Sequence, residues 1–100
     1  MIIAVNISKA LADGKTLLQA TERAWDLNIE KGREHDYVIG VKKGQIKGCF
    51  KLINVFPYTE FKQRVAFVLE PCSEKTEKII RSHNRDNDIN LGEIQRGKYI

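Results

Sequence analysis

Cysteine is scarce in this chain. Its two copies, Cys49 and Cys72, form no C-x-x-C pair, and neither has a histidine at metal-ligand spacing. That excludes a sequence-legible zinc site or dithiol motif, and the pair reads as ordinary reduced thiols. A disulfide between them would require neighbouring Cα positions, which sequence does not reveal. Proline is equally rare, at two residues, and no proline-rich linker, low-complexity tract or internal repeat divides the chain. Long apolar runs are missing. The longest are short, such as Val65 to Leu69, far below the roughly 18 residues that mark a membrane span. The opening "MIIAVNIS" lacks the basic and extended apolar parts of a secretory signal. The expectation is a cytoplasmic protein with no membrane partner. Also absent are a P-loop, G-x-G-x-x-G, G-x-S-x-G and H-E-x-x-H, so no cofactor is called for.

What is present is one globular domain, residues 1–100. A hydrophobic share of 42% and a charged share of 30% place it among ordinary globular proteins with a single core. The net charge of +4 is unevenly spread. Residues 37–64 hold Lys42, Lys43, Lys47, Lys51, Lys62 and Arg64 against one acid, Glu60, a local net of +5, while residues 1–36 come to −1. This is a basic patch on a mixed chain.

Apolar alternation at Ile3, Val5 and Ile7 predicts a first strand. "ADGKT" is turn chemistry, and Thr16 with Gln19 fits a capping box opening an amphipathic helix over 17 to about 26. Residues 28–36 are polar and predict a turn or a short helical piece. Tyr37 to Val41 is apolar throughout, as for a strand buried on both faces. Gly44 supplies a positive-φ turn. In the return strand Ile46, Gly48, Phe50 and Leu52 should point one way and Lys47, Cys49 and Lys51 the other, leaving one face to water or a partner. Gly40 and Gly48 inside strand patterns signal a bulge, a bend or a close approach. Val65, Phe67 and Leu69 predict another inward-facing alternation, ended by Pro71. Ser73 caps a helix from about 74 to 82, with Glu74 and Glu77 in its first turn. A polar loop, "SHNRDNDIN", and a last short strand complete the chain. The sum is α+β, a small, curved, mainly antiparallel half-barrel with two short helices.

The stretches "ATERAWDLN", "YVIGVKKGQIKGCF" and "QRVAFVLE" resemble small bacterial and phage domains of the PUA/ASCH-like type, over about residues 20–70. In these a helix ends in Trp, followed by strands like "YVLAV" and "G-x-I-x-G-V-F". Cys49 stands where that pattern prefers a small branched residue. Such domains sometimes accompany GIY-YIG nucleases, but this chain has no GIY-YIG motif, so no nuclease activity carries over. The resemblance implies a β-barrel module whose relatives often touch nucleic acid.

Phosphates require cations spaced along a surface. Lys47, Lys51 and Arg64, sharing a sheet face with Lys42 and Lys43 at its rim, are therefore the candidate contacts for RNA, DNA or a nucleotide, with Trp25, Phe56 or Tyr58 as stacking platforms. Trp25 reads otherwise as core. His35, flanked by Glu34 and Asp36, lacks a nucleophile at a recognisable spacing. His83 lies in a loop that grazes the calcium pattern but misplaces its glycine, at 92, and carries Gly97 where glutamate is needed. No metal ligand or catalytic residue is assigned. The reading is a binding module rather than an enzyme. The alternative is a protein-interaction module of phage or mobile-element origin that docks on an acidic partner through the same cations. An unpaired strand edge leaves a dimer open.

Overall fold

The computed structural model describes residues 2–22, 25, 29–58, 64–86, 89–94 and 97–100. Strand β1 (Ile2–Asn6) leads into three short helices, α1 (Ser8–Ala12), α2 (Leu17–Glu22) and α3 (Ile29–Gly32). Next come β2 (Tyr37–Lys42), the long β3 (Gln45–Pro57) and β4 (Val65–Pro71). Helix α4 (Glu74–Asp86), a 3₁₀ turn at Leu91–Glu93 and β5 (Gly97–Tyr99) follow. The strands form one sheet in the order β4-β3-β2-β1-β5.

The α+β class holds, but the sheet is mixed. β1 and β2 run parallel, with Ile2 opposite Tyr37 and Asn6 opposite Val41, whereas the other neighbours are antiparallel. A parallel pair needs a long crossover, and α1 to α3 supply it. The expected barrel is not closed. The last strand pairs with β1 and extends the sheet on the side away from β4.

The expectation that one sheet face meets water is overturned over the central strands, because helices cover both. On one face Ile3, Val5, Val38, Val55, Val65 and Phe67 pack with Ile7 and Ala20 beneath α1 to α3. On the other, Ile2, Ala4, Ile39, Val41, Ile46 and Cys49 pack with Ile80 of α4 and with Leu91 and Ile94. Period-two alternation in β1 and β2 deals successive residues to the two cores, which is why Tyr37–Lys42 reads as continuously apolar.

Two irregularities re-aim β3. The register shifts where Gly40 faces Gly48 but Val41 faces Ile46, so Lys47 is the extra residue. The bulge puts Ile46 in the same core as Cys49, against the simple alternation. A second shift falls between Leu52 and Asn54. The flagged glycines mark close approaches. A Cβ at Gly40 would lie 2.9 Å from both Ile7 Cδ1 and Thr21 Oγ1, and one at Gly48 2.9 Å from the Phe50 ring.

The helix boundaries differ at both expected sites. The capping box forms, since Gln19 N–H donates to Thr16 Oγ1 and Thr16 N–H to Gln19 Oε1, each at 3.2 Å. The described part of α2 is Leu17–Glu22, and the helix does not extend through Trp25 to about 26 as expected. Trp25 sits in an isolated antiparallel bridge to Val65, with its indole Nε1 donating to the Thr21 carbonyl at 2.7 Å. It packs on the α1–α3 side core, as a core residue should. Ser73 does cap α4, accepting from Thr76 N–H at 3.2 Å. That helix runs on to Asp86, through residues read as loop.

Among the described residues no helix is long and apolar enough to cross a membrane.

Candidate functional site

The turn joining β2 to β3 has Lys43 and Gly44 at its centre with φ of 50° and 76°. Two positive φ values in a two-residue hairpin match the right-handed twist of the flanking strands. Gly44 tolerates this freely, while Lys43 is held there by the hairpin register of Lys42 opposite Gln45. The turn packs on the 3₁₀ segment, where a Cβ at Gly44 would meet the Gly92 backbone at 3.5 Å.

Between this turn and the C-terminal half of α4 lies a cleft of about 450 Å³. Gly44, Gln45 and Ile46 form one wall, Arg81, Asn84 and Arg85 the other, and Ile89 and Leu91 the end. Residues 77, 81 and 85 repeat at i, i+4 and form one stripe of the helix. Arg81 Nη2 donates to the Ile46 carbonyl at 3.2 Å, joining α4 to β3, and stands 3.3 Å from Glu77 Oε1. Arg85 Nη2 donates to Ser82 Oγ at 3.2 Å, and its Nε is 3.7 Å from Asp86 Oδ1. Both ion pairs reach solvent and are therefore screened and weak.

Asn84 is buried at 5% exposure, and neither Nδ2 nor Oδ1 has a hydrogen-bond partner. A buried amide without partners costs about 1–3 kcal/mol. The structure therefore keeps a donor and an acceptor unsatisfied on the helix wall of a cationic cleft.

None of the five sequence-predicted contacts is among the described lining residues, but three are neighbours of the lining along the chain. Lys42 ends β2, Lys43 lies in the turn, and Lys47 Nζ donates to Gln45 Oε1 of the cleft wall at 3.0 Å. The other two stand apart. Lys51 lies four positions further along β3, about 13 Å away, opposite Tyr37 on one side and Glu70 on the other. Arg64 faces Tyr58 beyond the end of β3, where Tyr58 N–H donates to its carbonyl at 2.9 Å. That is roughly 35 Å of strand from Lys47 at the usual rise per residue. Lys62, which belongs to the basic segment, lies outside the described residues, as does Glu60.

The proposed stacking aromatics are at the distant end too. Phe56 pairs with Ala66, Trp25 bridges Val65, and the described lining residues of the cleft include no aromatic ring. Asn84 and Arg85 fall where 82–90 reads as a polar loop, and Arg81, inside the expected helix, lies outside the basic segment 37–64. The i, i+4 recurrence of Glu77, Arg81 and Arg85 was the signal that continued the helix.

The histidines occupy separate places. His35 is buried, its Nδ1 2.7 Å from the Lys31 carbonyl, beside a small cavity of about 140 Å³ lined also by Arg33 and Asn54. His83 is on the exposed side of α4. Among the described residues no three His, Cys, Asp or Glu side chains cluster as a metal site would require. Compared with protein-family models, curated proteins and solved structures, the chain matches none.

Proposed function

We propose that the protein is a nucleic-acid-binding module that contacts the phosphate backbone at the cationic end of the molecule, around the cleft between the β2–β3 turn and α4. The observation that carries this reading is the cleft shared by the β2–β3 turn, which Lys42, Lys43 and Lys47 flank or form along the chain, and the stretch of α4 that carries Arg81 and Arg85. Spaced cations beside a groove are what a phosphodiester chain requires. Among the described residues the cleft lining is cationic, polar and aliphatic, which favours backbone contact over base stacking, hence weak sequence preference. The resemblance to PUA/ASCH-like domains points the same way.

The test is fluorescence anisotropy with labelled single-stranded RNA, single-stranded DNA and duplex DNA at two salt concentrations. Affinity should fall with salt at a slope of about −0.7 to −0.9 per phosphate neutralised. The double variant Lys43→Glu, Arg85→Glu should weaken binding about tenfold or more and flatten that slope, because each lost phosphate contact lowers it by about one. Arg64→Glu, at the far end, should change little. Equal loss from Arg64→Glu would move the interface away from the cleft. No binding to any probe at low salt would reject the reading in favour of docking on an acidic protein.

A further inference from the structure

The two thiols that seemed unrelated in sequence meet in space. Cys49 and Cys72 have their Sγ atoms 3.1 Å apart, and Cys72 N–H donates to the Cys49 carbonyl at 3.2 Å. The backbone therefore already holds the residues side by side. Closing to the disulfide length of about 2.05 Å asks for little more than a change in side-chain torsion. The two positions are unequal. Cys49 is buried in the core beneath α4, whereas Cys72 is partly exposed in the link between β4 and the Ser73 cap of α4.

We propose that Cys49 and Cys72 form a redox-active dithiol site that takes low-molecular-weight disulfides such as oxidised glutathione, with Cys72 as the attacking thiol and Cys49 as the resolving one. The Cys72 thiolate attacks one sulfur of oxidised glutathione, forming a mixed disulfide and expelling one glutathione thiolate. Cys49 then gives up its proton to solvent and attacks Cys72 Sγ, expelling the second glutathione thiolate. The protein dithiol is oxidised by two electrons, and one oxidised glutathione is reduced to two glutathione molecules.

Burial pushes the Cys49 thiol up, and the Cys72 sulfur beside it pushes in the same direction. The charge effect of Cys72 disappears once that sulfur is tied up in the mixed disulfide. The burial effect remains, so the second step is the slower one, helped by the proximity of the two sulfurs. The product would link the middle of β3 to the start of α4, the helix that carries Arg81 and Arg85.

The experiment is to incubate the reduced full-length chain with oxidised glutathione, quench with acid, and map tryptic peptides by mass spectrometry. The wild type should yield peptide 48–51 linked to peptide 65–75, two hydrogens lighter than the sum of the reduced peptides. Cys49→Ala should stop at a glutathione adduct on Cys72. Cys72→Ser should leave Cys49 unmodified over the same time. The oxidised wild type should melt about 10 °C or more higher than the reduced form, from the constraint placed on the unfolded chain. A wild type that stays reduced, that carries only separate glutathione adducts, or that links between chains would overturn the proposal. So would a Cys72→Ser variant glutathionylated at Cys49 as fast as the wild type reacts.

Discussion

The two ends of β3 teach different things. At the turn end the strand lies between layers, with α4 and the 3₁₀ turn on one face and α2 on the other, and its exposed groups are cationic. At the far end, beyond the second bulge, only one face is covered. Val55 is buried there against Val65, Phe67 and Trp25, while Ile53, Phe56 and Val68 are 47%, 41% and 44% exposed. One strand therefore presents a polar, charge-lined cleft at one end and apolar surface at the other. The difference follows the position of α4, which begins next to Cys49 in the middle of β3 and has its C-terminal half beside the turn.

Three substitutions would break or sharpen this contrast. The largest effect should come from Val55→Ala on the covered face of the far end. Val55 is 1% exposed, and removing two buried methyl groups should cost about 2 kcal/mol, read as a lower urea midpoint with an unchanged slope. A loss below about 0.5 kcal/mol would mean that the far end is loosely packed on both faces.

Asn84→Leu should act in the opposite direction at the turn end. It removes an amide with no partner and adds apolar surface next to Ile80 and Leu91, so it should be neutral or stabilising by about 1 kcal/mol. A marked destabilisation in the same urea titration would show that the amide is satisfied in solution, by water or by ligand. The smallest effect belongs to Val68→Thr on the open face of the far end. A half-exposed β-branched position should change stability by less than about 0.5 kcal/mol. A loss like that of Val55→Ala would show the open face to be covered in solution, and sedimentation of wild type and variant would show whether a second copy covers it.

Local sequence signals settle the structure where local physics decides. The Thr16–Gln19 box, the Ser73 cap and the Lys43–Gly44 turn form as expected, because each is settled within about four residues. The inward set Val65, Phe67 and Leu69 also holds. The candidate site was half legible. Lys42, Lys43 and Lys47 stand out by charge density, but a count along the chain gives no distance, so Lys51 and Arg64 were grouped with residues they do not approach. The Lys47 bulge hid the direction of Ile46, since one inserted residue reverses the alternation before it.

Four helices are described where two were expected, so by itself the sequence determined the order of the strands, the helices α2 and α4, the turn chemistry and the placement of positive charge. These follow from periodicity, capping and composition, which act over a few residues. Tertiary structure alone decided that β1 pairs in parallel with β2, that both faces of the sheet are covered, and that the sheet stays open. It alone brought Arg81 and Arg85 to the lysine turn and Cys49 to Cys72. Those are contacts between residues far apart in the chain, and they form only when burial of apolar surface fixes which elements lie side by side.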